Sequence, residues 1–237
     1  MAMAAQGKEI EIKLRVADVD VMRRKLARLG AHVLQRDIAG KDGRVHEMNT
    51  LYDTPDRGLG RNRELLRIRV ETPAKPPAPA KSRAVLTFKR PPEESRRVPK
   101  NPEDHALHKI LDEDETVIDD HEAIARVFHA MGLHPWFRYE KFRSTYELGT
   151  KAHWARGLLI ELDETPIGAY LELEGPIGAI DRAAHSLGYK PADFITKNYP
   201  TLHAEHLASH GREPSQVAPG VYGEIPGMVF PPRKKSR

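Results

Sequence analysis

The chain has 237 residues, of which 39% are hydrophobic and 30% charged, so it is long and apolar enough for one large domain with a core. Its net charge is only +4, partly from the basic terminus 233–237, which argues against nucleic acid as a main partner. It has no cysteine, which excludes disulfides and thiolate metal sites. No signal peptide or membrane-spanning run is evident, so we predict a cytoplasmic protein without a membrane partner.

The first predicted element is a strand over residues 9–15, in which charged and aliphatic side chains alternate. Because neighbouring side chains of a strand point to opposite faces, Glu9, Glu11 and Lys13 share one face. Two carboxylates beside an ammonium can bind a hard divalent cation and contact a phosphate. Taken alone, the segment is more simply interpreted as a half-exposed strand with a solvated face.

A helix follows this strand, with Asp18 as its N-cap and Gly30 at its end. Its apolar residues fall on one side, which is typical of a helix that packs on the outside of a sheet. Strand material is predicted at 31–38 and 45–52. The proline-rich segment 72–82 cannot join a ladder, so we predict an extended surface loop there.

The rest of the chain mixes helices and strands. Helices are predicted at 103–111, 121–131 and 177–187, and from Tyr199 onward. Strands are predicted at 137–148, 158–162 and 169–173. The acidic run 112–115 is predicted to lie at the surface. We expect residues 1–207 to form one domain and residues 208–237 to form a proline-rich, basic tail that is disordered.

The alternation of the first strand recurs in five later segments, each with one charged or polar face and one aliphatic face. Their polar faces carry Arg67 and Arg69, Thr87 and Lys89, Lys141 and Arg143, Glu161 and Asp163, and Glu172 and Glu174. If the strands close into a barrel, these faces point into the lumen and the aliphatic faces meet a coat of helices. We therefore predict an α+β fold with a closed antiparallel β-barrel. So many buried charges need a partner, and a polyanion with bound metal ions supplies one.

The ordered set of motifs resembles the CYTH family, also called triphosphate tunnel metalloenzymes, from about residue 8 to residue 207. The matching motifs are Glu9-x-Glu11-x-Lys13, Arg67-x-Arg69, Lys89, Lys141, Arg143, Asp163, Glu172-x-Glu174 and a late lysine, Lys197. The segment 49–55 resembles the family element that precedes the Arg-x-Arg strand. The family includes CyaB-type class IV adenylyl cyclases, thiamine triphosphatases and bacterial inorganic tripolyphosphatases.

The residues and the resemblance together predict two sets of ligands. The carboxylates expected to hold Mg²⁺ or Mn²⁺ are Glu9, Glu11, Glu161, Asp163, Glu172 and Glu174. The cations expected to bind the triphosphate are Lys13, Arg67, Arg69, Lys89, Lys141, Arg143 and Lys197. Lys13 and Glu11 are the predicted catalytic residues, and we expect Lys13, with a lowered pKa, to help deprotonate an attacking water.

The expected function is divalent-metal-dependent hydrolysis of inorganic tripolyphosphate, thiamine triphosphate or a nucleotide. The alternative is a class IV adenylyl cyclase, which makes cyclic AMP and pyrophosphate from ATP. The lining charges do not separate these two, because both reactions bind the same metal–triphosphate unit. A third interpretation is a non-catalytic polyphosphate- or nucleotide-binding module. Whether the chain forms a homodimer is left open.

Overall fold

A computed structural model describes residues 5–39, 42–74, 81–94, 107–212 and 227–231 of the chain. The strands in these ranges are β1 (Ala5–Val16), β2 (Ala31–Val33), β3 (Arg44–Asp53), β4 (Leu65–Pro73), β5 (Arg83–Arg90), β6 (Lys109–Ile118), β7 (His134–Leu148), β8 (Leu159–Thr165), β9 (Gly168–Glu174) and β10 (Gly227–Met228). The helices are α1 (Val19–Leu29), α2 (Gly58–Arg61), α3 (His121–Ala130), α4 (Ile177–Ser186) and α5 (Tyr199–Ser209).

Eight of these strands close into an antiparallel barrel. The hydrogen-bonded neighbours around the wall follow the order β1, β6, β5, β4, β3, β7, β8, β9 and again β1. Two short strands lie off this path, because β2 pairs antiparallel and β10 pairs parallel with the long strand β7. The predicted α+β fold with a closed antiparallel barrel is therefore confirmed.

The two faces of the barrel wall separate as the alternation predicts. On β1, Ile12 and Leu14 point away from the lumen and are 0% exposed. Their neighbours Glu11 and Lys13 line the lumen and are 5% and 4% exposed. Both faces of this strand are thus buried, one against apolar groups and the other among charges.

The main hydrophobic core lies outside the wall, between the strands and two helices. The wall contributes outward residues of β1, β8 and β9, namely Ile12, Leu14, Ile160, Leu162, Leu171 and Leu173. The helical layer contributes residues of α1 and α4, including Met22, Leu26, Ile180 and Ala183. Because burying each Leu or Ile side chain contributes about 1.5–3 kcal/mol, this layer holds the wall in place around the lumen.

The helix α1 is fixed at both ends by the residues that predicted it. The side chain of Asp18 accepts a hydrogen bond from the Val21 amide at 2.8 Å. Gly30 has a φ of 86°, a left-handed conformation that glycine adopts without steric cost. The helices predicted at 121–131, at 177–187 and from Tyr199 are likewise confirmed as α3, α4 and α5.

The helix predicted at 103–111 is wrong for its last residues, because Lys109–Ile118 forms the strand β6. Residues 101–106 lie outside the described residues. The acidic run 112–115 belongs to the same strand, and two of its members, Glu113 and Glu115, line the lumen rather than an outer surface. The segment has a charged or aliphatic residue on each face, so its sequence lacks the alternation that identified the other strands.

The predicted disordered tail needs one correction. Gly227 and Met228 pair with Arg138 and Tyr139 of β7, and Met228 is 1% exposed. Residues 213–226 and 232–237 lie outside the described residues. Among the residues that the structure describes, none of the helices is long and apolar enough to cross a membrane.

Candidate active site in the barrel lumen

The barrel encloses a lumen of about 430 Å³ that brings together most of the predicted site residues. Those that line it are Glu9, Glu11, Lys13, Arg67, Arg69, Lys89, Lys141, Arg143, Glu161, Glu172 and Glu174. Asp163 is 0% exposed and lies against this lining, where it contacts Lys141 and Arg143. Predicted site residues from six of the eight barrel strands therefore converge on one charged space.

Arg143 occupies the centre of the acidic side of the lumen. Its Nε and Nη2 donate to the two carboxylate oxygens of Asp163, each at 2.7 Å. Its Nη2 also donates to Glu172 at 2.6 Å, and its Nη1 pairs with Glu161. One guanidinium is thus shared among three carboxylates, which hold it in the protonated form.

Lys13 lies between two carboxylates of neighbouring strands. Its Nζ donates to Glu11 Oε1 at 3.0 Å and lies 3.5 Å from Glu172 Oε1. Burial lowers the pKa of Lys13, but the attraction of Glu11 and Glu172 outweighs this effect and raises the pKa above its ordinary value. The lowered pKa expected from the sequence is therefore wrong, and Lys13 is an ammonium in this geometry.

Glu11 shows the reciprocal effect. Lys109 Nζ donates to Glu11 Oε1 at 2.5 Å, on the same oxygen that Lys13 contacts. Burial raises the pKa of Glu11, but Lys109 and Lys13 outweigh it, so the pKa lies below its ordinary value. Glu11 is therefore an anion that is fixed between two ammonium groups.

The opposite side of the lumen is basic. Arg67 donates to Thr87 Oγ1 at 3.1 Å, and Arg69 donates to Glu115 Oε2 at 3.1 Å. Lys89 Nζ lies 2.6 Å from both carboxylate oxygens of Glu9. These cations come from the adjacent strands β4 and β5, so they form one surface to which an anion could bind.

Among the described residues, three lumen carboxylates have raised pKa values: burial raises the pKa of Glu113, and the pKa shifts of Glu161 and Glu174 are larger. Burial and the nearby charges of Glu9 and Glu161 raise the pKa of Glu174 to about 8. Burial raises the pKa of Glu161 to about 7, since Arg143, which opposes this effect, is shared with Glu172 and Asp163. This part of the lumen has more negative charge than its lysines and arginines neutralise.

A hard divalent cation fits this donor set, because it prefers carboxylate oxygens and its charge would relieve the repulsion. In the geometry observed, no cluster of three or more potential ligands among the described residues is arranged around one metal position. In the part of the chain that the structure describes, all the predicted carboxylate ligands except Glu174 instead bind lysine or arginine side chains. A metal ion would therefore replace some of these internal ion pairs.

Two fully buried glutamates near the lumen were not among the predicted site residues. Glu71 is 0% exposed and accepts from Arg36 Nη2 at 2.8 Å to each oxygen, with Arg69 Nε 3.2 Å away. Glu47 is also 0% exposed and lies 3.6 Å from Lys141 Nζ and 3.8 Å from Arg143 Nε. Within the described residues, neither oxygen of Glu47 has a hydrogen-bond partner.

The alternation of charged and aliphatic residues that identified the other strands is incomplete around these glutamates. On β3 the lumen face carries Val45, Glu47, Asn49 and Leu51, so charged and apolar residues share one row. Lys109, Glu113 and Glu115 on β6 were hidden for the same reason. Strand pairing, which the sequence does not give directly, places Glu113 opposite Lys89, Glu115 opposite Thr87 and Lys109 opposite Glu11.

Lys197 does not lie with the other predicted site residues in the lumen. The Lys197 side chain is 53% exposed, and its Nζ donates to Glu205 of α5 at 2.6 Å. It lies outside the lumen lining. The predicted role of Lys197 in binding the triphosphate is therefore not supported by its position.

Tyr199 is a lumen residue that was predicted only as the start of a helix. It is the first residue of α5 and donates its hydroxyl hydrogen to Asp163 Oδ2 at 2.7 Å. The Nζ atoms of Lys141 and Lys13 lie 5.1 and 5.6 Å from its ring centroid. Burial and the charges of Asp163 and Glu172 raise its pKa, so it remains a neutral donor.

Comparisons with known proteins agree with this geometry. The model of the CYTH domain family matches residues 7–197. None of the curated proteins compared with the chain matches it significantly. Among solved structures, a Vibrio parahaemolyticus protein described as a candidate adenylate cyclase is 18% identical with a TM-score of 0.59, over 86% of this chain and 99% of that chain.

Two archaeal structures are similar to the same extent. A Pyrococcus horikoshii protein is 20% identical with a TM-score of 0.59, over 83% of this chain and 98% of that chain. A conserved hypothetical protein from Pyrococcus furiosus is 21% identical with a TM-score of 0.55, over 81% and 97%. At these identities the structural likeness concerns the fold alone. The family match, however, covers most of the chain and reaches every strand of the barrel, so the chain belongs to the CYTH domain family.

Proposed function

We propose that this chain is a divalent-metal-dependent hydrolase that acts on a triphosphate bound in the lumen. Members of the CYTH family are enzymes, either triphosphatases or adenylyl cyclases, and in general depend on divalent metal ions. The observation that carries the proposal is the segregation of the lumen into a basic side and an acidic side that is short of cations.

The charge balance of the lumen supports a metal–triphosphate unit over a bare triphosphate. Among the described residues, the lining includes ten basic side chains and seven carboxylates. Three further carboxylates, Glu47, Glu71 and Asp163, are fully buried against these cations. The enclosed charges thus nearly cancel, so a bare polyanion would upset the balance, whereas one accompanied by divalent cations would keep it.

On the basic side, Arg67, Arg69 and Lys89 would bind the phosphate oxygens, since guanidinium and ammonium groups form charge-assisted hydrogen bonds with them. These groups are held in position before the substrate arrives. Such preorganised charges stabilise the charge that shifts to the leaving group during phosphoryl transfer. This electrostatic role needs no change in their protonation.

On the acidic side, Glu161 and Glu174, with Glu9, would hold the metal ion. A bound divalent cation would neutralise charge on the phosphoryl oxygens and polarise the phosphorus centre. Lys13 is protonated, so we assign it to a phosphate oxygen rather than to deprotonation of water. Phosphoryl transfer has a loose transition state that asks little of a general base.

The size and lining of the lumen favour hydrolysis over cyclisation. Its volume is about 430 Å³ and ionic side chains dominate its lining, which suits a chain of phosphates. A cyclase must also place a ribose hydroxyl against the α-phosphorus. Among the described residues, only four neutral polar side chains, those of Tyr139, Thr145, Asn198 and Tyr199, accompany the seventeen charged ones of the lining and could position a sugar.

The test is incubation of the pure protein with tripolyphosphate, thiamine triphosphate or ATP, each with Mg²⁺ or Mn²⁺. We expect metal-dependent release of orthophosphate. Formation of cyclic AMP and pyrophosphate from ATP would instead identify a cyclase, and tight binding without turnover would identify a binding module. The variant Glu174→Gln removes a proposed metal ligand and should lose turnover, while Glu164→Gln, on the outer side of β8, should keep it.

A further inference from the structure

A second, larger cleft lies next to the lumen. Its volume is about 1750 Å³, and Leu51, Leu65, Lys109 and Asn198 line both spaces. Small-molecule pockets usually measure about 300–1,000 Å³, so the cleft has room for a group much larger than a phosphate. A substrate whose phosphates lie in the lumen could extend directly into it.

A β-bulge places an aromatic ring in this cleft. In the β3–β7 pair, Leu51 is opposite Phe137 and Tyr52 is opposite Pro135, which leaves Trp136 as an extra residue. Bulges of this kind often lie next to active sites and redirect a side chain. Here the half-buried Trp136 lines the cleft rather than following the alternation of the strand.

Arg57 lies over this ring. The carbon at the centre of its guanidinium is 3.2 Å from the Trp136 ring centroid. Its Nε is 3.3 Å from Asp53 Oδ2, and its side chain remains 39% exposed. One face and one edge of the guanidinium are therefore occupied, while the side chain still borders the cleft.

The loop that holds Arg57 is built at some energetic cost. Arg57 has a φ of 64°, a left-handed conformation that residues other than glycine rarely adopt. Asp53, which is 3% exposed, fixes the loop by accepting from the amides of Leu59 at 2.9 Å and Gly60 at 3.0 Å. A Cβ at Gly60 would lie 3.4 Å from Arg57 Nη2, so the glycine leaves room for this arrangement.

Resting on the proposed function, we propose that Arg57 and Trp136 form a stacking platform for the base of a nucleoside triphosphate. The guanidinium would stack on a neutral planar heterocycle, as arginine does on aromatic faces. The cleft lining includes seven basic and four acidic side chains among the described residues, so it disfavours a cationic ring. Thiamine carries a permanently charged thiazolium, and the platform therefore selects a nucleobase over thiamine.

The test is a comparison of KM values for ATP, thiamine triphosphate and tripolyphosphate. Arg57→Lys keeps the positive charge but removes the planar guanidinium. Trp136→Leu removes the indole ring on which the guanidinium stacks. Because stacking on a base contributes about 1–3 kcal/mol, each variant should raise the KM for ATP about tenfold. The KM for tripolyphosphate should stay unchanged, since this substrate has no base. In the unaltered protein the KM for ATP should be below that for thiamine triphosphate.

The chain offers a matched control. Arg182 of α4 lies over Trp154 with 4.6 Å between the guanidinium carbon and the ring centroid, and neither residue lines the cleft. Arg182→Lys should therefore leave all three KM values unchanged. If Arg57→Lys raised the KM values for ATP and tripolyphosphate equally, or left the KM for ATP unchanged, the proposed stacking platform would be contradicted.

A binding measurement distinguishes the stacking platform from the proposed hydrolase activity. The chain has two tryptophans, so Trp154→Phe leaves Trp136 as the one fluorescent tryptophan. Titration with a non-hydrolysable ATP analogue and Mg²⁺ should quench it, whereas tripolyphosphate with Mg²⁺ should not. Quenching by the analogue without hydrolysis of any triphosphate would contradict the hydrolase and support the platform. Hydrolysis of tripolyphosphate without quenching by the analogue would support the hydrolase and contradict the platform.

Discussion

Along β1 the two faces of the barrel wall are both buried but contribute differently to the protein. On β1 the adjacent residues Ile12 and Lys13 are 0% and 4% exposed. Burial of Ile12 removes apolar surface from water and stabilises the fold. Burial of Lys13 removes a charge from water, which costs several kcal/mol that its ion pairs only offset. The outer face therefore stabilises the barrel, and we expect the inner face to be kept for what it binds.

The largest effect should come from removing an inner charge. Lys13→Ala leaves Glu11 paired with Lys109 and Glu172 paired with Arg143, so the chain should remain folded. Loss of one preorganised charge typically lowers the rate about 10²–10³-fold, and we expect kcat/KM for tripolyphosphate to fall by this factor. Lys151→Ala, in an exposed turn, is the control. Turnover within about threefold of normal would place Lys13 outside the chemistry.

The next effect is a pH dependence that metal ions should reverse. The folded-state pKa values of Glu161 and Glu174, about 7 and about 8, lie above the ordinary value of 4.5. The folded state therefore binds more protons than the unfolded state between these values. The stability that these groups contribute is fully present below about pH 4.5 and is lost as the pH rises to about 8.

A divalent cation competes with those protons. We therefore expect the increase in Tm caused by Mg²⁺ or Mn²⁺ to be small at pH 5 and to grow up to pH 8. Each pKa unit corresponds to about 1.4 kcal/mol, so the change should be measurable by differential scanning calorimetry. Glu174→Gln should flatten this dependence. A metal effect on Tm that is equal at pH 5 and pH 8 would argue against these carboxylates as ligands.

A smaller effect should come from the outer face. Ile12→Val removes one methylene from a site that packs against α1 and α4, and such changes cost about 0.5–1.5 kcal/mol. Denaturant unfolding should show this loss, while kcat/KM per folded molecule stays the same. A fall in kcat/KM without a loss of stability would mean that the two faces are not separable.

The smallest effect is expected at Lys197. Its ion pair with Glu205 is half exposed on both sides, and such pairs contribute about 0.2–1 kcal/mol. Lys197→Ala should leave the hydrolysis of tripolyphosphate within about twofold of normal. A loss as large as that of Lys13→Ala would show that the side chain enters the lumen during turnover.

The period of two made the barrel predictable wherever one face of a strand was purely ionic. Glu9, Glu11 and Lys13 on β1, or Arg67 and Arg69 on β4, could be assigned to the lumen because their neighbours are aliphatic. The same rule failed on β6, where acidic residues occupy both faces. There only the hydrogen-bonded partners β1 and β5 decide which side chains point inward.

Electrostatics was harder to predict than placement. The sequence suggested that neighbouring cations would lower the pKa of Lys13. In the folded chain its nearest groups are the carboxylates of Glu11 and Glu172, and the shift has the opposite sign. Lys197 was assigned from its order in the chain, but its position after β9 and before α5 leaves it on the outside. The sign of the Lys13 pKa shift and the position of Lys197 both depend on distances of a few ångströms, which a sequence does not contain.

The ion pairs that fill the lumen have a consequence for turnover. Glu9 holds Lys89 at 2.6 Å, and Asp163 holds Arg143 at 2.7 Å, so an incoming anion must compete with carboxylates already seated there. A long phosphate chain with its metal ions can exchange several of these contacts at once. Orthophosphate can exchange fewer, and we expect the side chains to close on one another again as it departs. Re-formation of the ion pairs between the carboxylates and the cations of the lumen would thus favour release of the product.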